Sequence, residues 1–260
     1  MKSRTLLLAC AGITILIAAC ATISETGESR FILTSPQQET QMGLAAFQDL
    51  KTSQKISTDQ AAIDQVNRVA NRLIPVVDYD AAKWEIVVFE DPTPNAFALP
   101  GGKIGVHTGI LPITKNDAGL AAVIGHEMAH VTLRHGGQRI SRQMATSALI
   151  GLADIGLGIN SESYQENRSL ILASFGAGAQ YGMALPFSRE NEYEADRIGM
   201  RYMARAGYHP QEAIELWKRM ETFSHQHGNK PPEWMSTHPA DANRIKALEE
   251  YLPTALAYMP

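Results

Sequence analysis

Two histidines four residues apart, with a glutamate directly after the first, are the residues most able to do chemistry here. In a helix, His126 and His130 lie one turn apart on the same face. Both imidazoles could then bind one Zn²⁺, and Glu127 could take a proton from zinc-bound water. The pattern predicts metal-assisted hydrolysis, although such a short pattern also arises by chance in unrelated proteins.

The residues around this motif predict the helix that would position it. Asn116 or Asp117 can cap the helix start, apolar residues follow at helical spacing, and Gly136-Gly137 supplies a stop. Burying an unpaired polar group costs ~1–3 kcal/mol, so histidines in an apolar helix need partners. A metal ion would satisfy both.

The third ligand must come from another segment, because a catalytic zinc site has three protein ligands and leaves one position for water. Residues 188–196 offer four carboxylates on a second predicted helix. Glu190 and Glu194 share a stripe with three arginines, which predicts a solvated, salt-bridged face. Glu192 and Asp196 fall on the opposite stripe, which is otherwise small or apolar.

The inward stripe carries the predicted site residues of this second helix. We predict Glu192 as the third zinc ligand and Asp196 as the acceptor for the free ring N–H of a ligating histidine. Gly199 on the same stripe would permit close approach of the first helix. A buried salt bridge without a metal is the alternative.

Four short segments in this order resemble a known family. The family comprises the zinc metallopeptidases of the CAAX prenyl protease, HtpX, the mitochondrial inner-membrane stress protease and the periplasmic BepA and LoiP types. Its pattern also places the third ligand at Glu192. The matching segments are residues 95–102, 126–130, 188–196, and 236–239 with 244–245.

This resemblance implies a fold and an activity. The fold would be α+β and mostly helical, a zincin-like metallopeptidase domain with a small sheet beside the active-site cleft. The activity would be zinc-dependent hydrolysis of misfolded or stalled envelope proteins, with one Zn²⁺ per chain. An envelope chaperone or assembly factor with a latched site is the main alternative. A closed structural zinc site is disfavoured, because such sites have four ligands and are rich in Cys.

The resemblance also implies roles that spacing alone does not. Asn95, Ala96 and Phe97 would form the strand edge that pairs with extended substrate, or else an ordinary sheet strand. His238 would be a self-inhibiting latch in the fourth zinc position, or else a residue that only begins a helix. Arg244 would stabilise the oxyanion, or else form a surface ion pair.

The N-terminus predicts targeting to the cell envelope. Two basic residues precede an apolar stretch that ends Ile17-Ala18-Ala19-Cys20, which resembles a bacterial lipobox. We therefore predict a signal peptide over residues 1–19 and lipidation of Cys20. Ala21 favours sorting to the periplasmic face of the outer membrane. An uncleaved anchor is the alternative, but the stretch is short for a membrane span.

The rest of the chain is predicted as one domain behind a tether. Residues 20–36 are polar enough for a tether, and residues 37–260 contain the metallopeptidase domain. Within it, residues 139–185 are predicted as a helical hairpin that either covers the site as a mobile lid or packs as plain structure. His107 and His135 fit neither site helix and are predicted to be structural. The net charge of −4 argues against a nucleic-acid partner.

Overall fold

The structure, a computed structural model, describes part of the 260-residue chain. The described residues are 20–23, 25–77, 79, 83–157, 187–228, 230–238 and 242–260. The predicted signal peptide and most of the predicted lid, from residue 158 to 185, lie outside them.

A three-stranded sheet forms one side of the domain. Strand β3 (Glu85–Phe89) pairs in parallel with β5 (Lys103–His107), and β4 (Ala96–Leu99) pairs antiparallel with β5 on its other side. All five residues of β5 are buried, as expected for the central strand of a packed sheet. Gly101 and Gly102, both at φ +80°, turn the chain from β4 to β5. Strand β4 therefore lies at the edge of the sheet.

Most of the remaining elements are helices, and the longest buried one is α4 (Asp117–Thr132). Every residue of α4 from Gly119 to Thr132 is buried, and the Asn116 side chain caps its start by accepting from the Gly119 N–H at 2.8 Å. This combination confirms the predicted α+β, mostly helical fold. The other helices are α1 (Pro36–Ser53), α2 (Gln60–Leu73), α3 (Leu111–Thr114), α5 (His135–Leu157), α6 (Arg189–Arg205), α7 (Gln211–Gln226), α8 (Glu233–Thr237) and α9 (Ala242–Leu256).

Among the described residues, no helix has both the length and the apolar character needed to cross a membrane.

Two glycines let α4 and α6 pack backbone to backbone. A Cβ on Gly199 would lie 3.0 Å from the His126 nitrogen, and a Cβ on Gly125 would lie 3.2 Å from the Gly199 carbonyl oxygen. These distances are shorter than ordinary side-chain contacts. The close approach predicted from Gly199 is thus present, and it brings the two site helices together.

The end of α4 differs from the sequence prediction. The helix ends at Thr132 rather than at Gly136-Gly137, and Arg134 turns the chain at φ +53°. Both glycines lie inside α5, where a Cβ on Gly137 would lie 2.2 Å from a carboxylate oxygen of Glu39. Their small size serves packing, and the left-handed turn falls on an arginine.

Residues 20–23 and 25–35 contain a short hairpin that contacts the domain, which the predicted polar tether over 20–36 does not include. Strand β1 (Cys20–Thr22) pairs antiparallel with β2 (Ser29–Phe31). Ile23, which follows β1, and Ile32, which follows β2, are buried in the main core. The burial of two isoleucines explains why a segment of polar composition is held in place.

Candidate metal centre

Four side chains from three parts of the fold converge on one point. Helix α4 supplies His126 and His130, α6 supplies Glu192, and the residue after α8 is His238. One ligand atom from each lies within 4.8 Å of the others, and the four residues are only 1–3% exposed. The structure therefore brings the three predicted ligands and the predicted latch together in the interior.

The distances between these atoms fit a tetrahedral metal ion. His126 Nε2 lies 3.0 Å from His130 Nε2 and 3.4 Å from a Glu192 oxygen, and His130 Nε2 lies 3.5 Å from the other oxygen. Ligand atoms at roughly 2.0–2.1 Å from a tetrahedral zinc stand about 3.3–3.4 Å apart. Facing lone pairs at such separations repel unless a proton or a metal cation lies between them. The donor set and its spacing therefore fit the implied metal.

His238 lies at the fourth corner of this cluster. Its Nδ1 is 3.2 Å from His126 Nε2 and 3.1 Å from a Glu192 oxygen. Its Nε2 points the other way, 3.3 Å from Glu127 Oε1. This is the place that a water molecule would take in an open catalytic zinc site.

The predicted general base, Glu127, is buried beside the cluster. Its Oε1 accepts a hydrogen bond from the Trp234 indole N–H at 2.7 Å. Trp234 lies on α8, one turn before His238, so one short segment contacts both the base and the metal ligands. Sequence reasoning did not identify Trp234.

Asp196 lies where it was predicted, behind a ligating histidine. Its Oδ1 is 3.0 Å from His126 Nδ1, the ring nitrogen that faces away from the cluster. Contact with a carboxylate at this position fixes the tautomer that leaves Nε2 free for a metal. Both Asp196 and Glu192 are buried, as the helix-face argument predicts.

Arg244 approaches the site from behind the ligands, so neither role predicted for it matches its contacts. Its guanidinium donates to both oxygens of Asp196 at 2.7–2.8 Å and lies 2.7 Å from a Glu192 oxygen. It is 2% exposed and stacks over the Trp217 ring at 4.0 Å. A surface ion pair is excluded by this burial. An oxyanion role is not supported, because these donors face carboxylates that hold the site together.

Burial and neighbouring charges set the protonation of the ligands. Burial lowers the pKa of His126, but Asp196 and Glu192 outweigh it and raise that pKa to about 9. Burial, with help from the adjacent imidazoles, holds the pKa of His130 well below its usual value. Burial opposes the charge of Glu192, yet His238, Arg244 and His126 hold its pKa well below the ordinary range. In the metal-free chain, His126 is therefore the ligand that must lose a proton.

The predicted substrate strand lies next to the site, and the side chains at its start are buried. Asn95 and Ala96 are buried, and Phe97 packs its ring 6.1 Å from that of Phe89. Within the described residues, β4 pairs only with β5, so its outer backbone edge has no strand partner. Any contact of this strand with substrate would therefore use the backbone edge.

Two residues behind His130 make contacts that the sequence does not predict. His135 is buried with its Nδ1 3.0 Å from His130 Nδ1, so it is a direct neighbour of a predicted ligand. Glu194 was predicted on a solvated face, but it contacts His135 at 3.2 Å and pairs with Arg30 from β2. Only the position of His135, five residues after the second motif histidine, could have signalled this.

An aromatic ring completes the enclosure of the cluster. Phe187 stacks on the His130 ring at a centroid distance of 4.0 Å. The cavity that His130 and Phe187 line together with Leu99 of β4 has a volume of only about 20 Å³, which is too small to hold a peptide.

With this geometry established, comparison with known proteins gives the family. The sequence model of peptidase family M48 matches residues 60–252, which contain all four cluster residues. The chain belongs to peptidase family M48. This confirms the family resemblance drawn from the four short segments.

Individual relatives of this M48 chain come from mitochondria and from bacteria. The mitochondrial metalloendopeptidase OMA1 of Schizosaccharomyces pombe is 43% identical over 190 residues, covering 73% of this chain and 53% of the relative. OMA1 of Saccharomyces cerevisiae is 36% identical, covering 87% and 67%. The beta-barrel assembly-enhancing protease of Escherichia coli is 28% identical, covering 86% and 46%. The chain thus spans about half to two thirds of the length of these relatives.

Proposed function

We propose that this chain is a zinc-dependent endopeptidase of the bacterial cell envelope that cleaves misfolded or stalled envelope proteins. The observation that carries the proposal is the buried convergence of His126, His130 and Glu192 beside the carboxylate of Glu127. Three protein ligands with an adjacent carboxylate are the arrangement of catalytic zinc sites. Membership of family M48 supports the same conclusion.

The groups around the metal position would have separate roles in hydrolysis. A bound zinc ion would supply an acidified water and polarise the peptide carbonyl. Glu127 would accept the proton from that water and pass it to the leaving amine. The Trp234 indole N–H, which donates to Glu127, would hold this carboxylate in place and leave its second oxygen to receive the proton.

Substrate would bind in an extended form along β4. The backbone edge beside Asn95, Ala96 and Phe97 can pair with any extended chain, independently of its side chains. Such recognition suits unfolded or misassembled proteins as substrates. The E. coli relative is a beta-barrel assembly-enhancing protease, and this supports substrates in the envelope.

The position of His238 supports a latched resting state. With His238 at the fourth corner, substrate water is blocked, and the 1–3% exposure of the ligands bars a peptide from the metal. The segment 232–238 would have to move outward before hydrolysis. The same geometry favours the second candidate function, an assembly factor that cleaves only when substrate displaces the latch.

The N-terminal sequence supports a location in the cell envelope. We propose that Cys20 is lipidated and anchors the protein to the periplasmic face of the outer membrane, as the sequence Ile17-Ala18-Ala19-Cys20 indicates. Mass spectrometry of the mature N-terminus should find an acylated Cys20. A mature chain that begins elsewhere would refute both the anchor and the location.

The decisive test of catalysis compares wild type with Glu127→Gln on casein, with zinc content measured in both. The glutamine keeps the shape and the contact with Trp234 but cannot accept a proton. We expect one zinc per chain in each protein and a loss of at least about 100-fold in kcat in the variant. Cleavage near the wild-type rate in Glu127→Gln would rule out the proposed chemistry.

A further inference from the structure

A chain of three side chains extends from His130 away from the metal position, and the proposed hydrolysis uses none of them. His130 Nδ1 lies 3.0 Å from His135 Nδ1, and His135 Nε2 lies 3.2 Å from Glu194 Oε2. The other oxygen of Glu194 accepts a hydrogen bond from Arg30 on β2. The contacts thus join the ligand cluster to the N-terminal hairpin.

The hydrogen-bonding capacity of these groups allows one arrangement when His130 binds a metal. Its Nε2 gives the lone pair to the metal, so its Nδ1 carries the hydrogen and donates to His135 Nδ1. His135 must then carry its own hydrogen on Nε2, which donates to Glu194. The carboxylate accepts from His135 on one side and from Arg30 on the other. Every link has one donor and one acceptor.

The backbone is shaped to make the first of these contacts. Helix α4 ends at Thr132, and Arg134 adopts φ +53°, a conformation that costs a residue with a side chain about 1 kcal/mol or more. This turn places His135 at the first position of α5, directly behind His130. The Arg134 side chain is held there by Glu39 at 2.7 Å and by the Thr34 carbonyl at 2.8 Å.

We infer that His135, held by Glu194 and Arg30, is a positioning residue that fixes the tautomer and ring orientation of His130. The inference rests on the proposed zinc site. If the inference is correct, the metal affinity depends on how the hairpin of β1 and β2 packs against the domain, because Arg30 of this hairpin is the residue that holds Glu194. Loosening of that hairpin would then weaken the site without any change in the ligands themselves.

The test measures zinc affinity by competition with a chromophoric chelator and records the visible spectrum of the Co²⁺-substituted protein. We expect His135→Ala and Glu194→Ala each to weaken zinc binding about 10–100-fold and to shift the Co²⁺ bands, the usual size of such an outer contact. Glu194→Gln keeps an acceptor for His135 and should recover part of the affinity. It also keeps the test valid if an alanine variant folds poorly.

Two features separate positioning from a general structural effect. Because Glu194 acts through His135, the double variant His135→Ala/Glu194→Ala should bind zinc no more weakly than His135→Ala alone. Arg30 also donates to Glu28, which is not part of the chain of contacts to His135. The control variant Glu28→Gln should therefore leave the zinc affinity and the Co²⁺ spectrum unchanged.

The outcomes distinguish this inference from the proposed function. A wild-type chain that binds no zinc would overturn the metal site, and the inference with it. Wild-type zinc binding together with single variants within twofold of it would overturn the inference alone. Additive losses in the double variant would do the same, since Glu194 would then act independently of His135.

Discussion

The buried contacts of Arg244 predict a large loss of stability when its charge is removed. Its guanidinium is 2% exposed and makes close contacts with three oxygens of Asp196 and Glu192, which are themselves 7% and 1% exposed. Arg244→Met keeps much of the volume against Trp217 but leaves both carboxylates without this partner. Removing one member of a buried ion pair costs about 3–5 kcal/mol. We therefore expect the free energy of unfolding to fall by about that amount.

This loss should be visible in the melting temperature and should depend on the metal. For a chain of this size, each kcal/mol shifts Tm by about 2–4 °C, which gives a decrease of about 6–20 °C. Because a bound metal offers Glu192 another positive partner, the loss should be larger in chelator-treated protein than in zinc-loaded protein. Lys246→Met, on an exposed position of the same helix, is the matched control and should leave Tm unchanged.

The same variant decides between the two roles of Arg244. If the guanidinium stabilised the oxyanion, Arg244→Met would lose kcat by about 100-fold or more while unfolding near the wild-type temperature. If the guanidinium instead holds Asp196 and Glu192 in place, Arg244→Met should lower the free energy of unfolding and the zinc affinity. A stability loss below about 1 kcal/mol combined with a large loss of kcat would refute the assignment made from these contacts.

Three further predictions follow from the ligand cluster. The pKa of His126 in the metal-free chain is raised to about 9, so below that pH zinc must displace a proton from this residue. The zinc affinity should therefore rise by up to about tenfold per pH unit between pH 6.5 and 9, and zinc titrations that do not depend on pH would contradict this. His238→Ala should raise casein cleavage or self-cleavage at unchanged zinc content, and unchanged or lower activity would argue for a substrate-positioning role. Gly199→Ala places a Cβ 3.0 Å from the His126 nitrogen, so it should lower the free energy of unfolding by about 1–3 kcal/mol and weaken zinc binding in the same titration. A variant with wild-type stability and wild-type zinc affinity would show that α4 and α6 can separate freely.

The part of the site that the sequence predicts is the part governed by helical periodicity. His126 and His130 lie one turn apart on α4, and Glu192 and Asp196 lie one turn apart on α6, so local spacing alone places each pair on one face. Gly199 could be read as a contact glycine because it falls on the same stripe. In each case the period of the helix decides which side chains point inward, and no long-range information is needed.

The part that the sequence does not predict depends on contacts between distant segments. Glu194 falls on a charged stripe, yet Arg30 from the N-terminal hairpin covers it, and nothing near Glu194 announces that hairpin. The Gly136-Gly137 pair has the usual signature of a helix end, whereas the turn occurs at Arg134, where a side chain normally disfavours positive φ. Because the turn sets where His135 lies, a helix end predicted at Gly136-Gly137 does not reveal that His135 lies beside His130.

The charges buried at this site give an independent reason for its metal. Glu127, Glu192 and Asp196 are all buried, and Arg244 is the one arginine or lysine among their described contacts. One guanidinium is the only side chain of fixed positive charge among the described contacts of these three carboxylates, and buried charge without compensation is costly. A divalent cation bound by the cluster would offset the negative charge. The same carboxylates raise the pKa of His126 in the metal-free chain, where the proton on this histidine supplies part of the positive charge. The charge of the core therefore favours a cation at the same point that the ligand spacing fits.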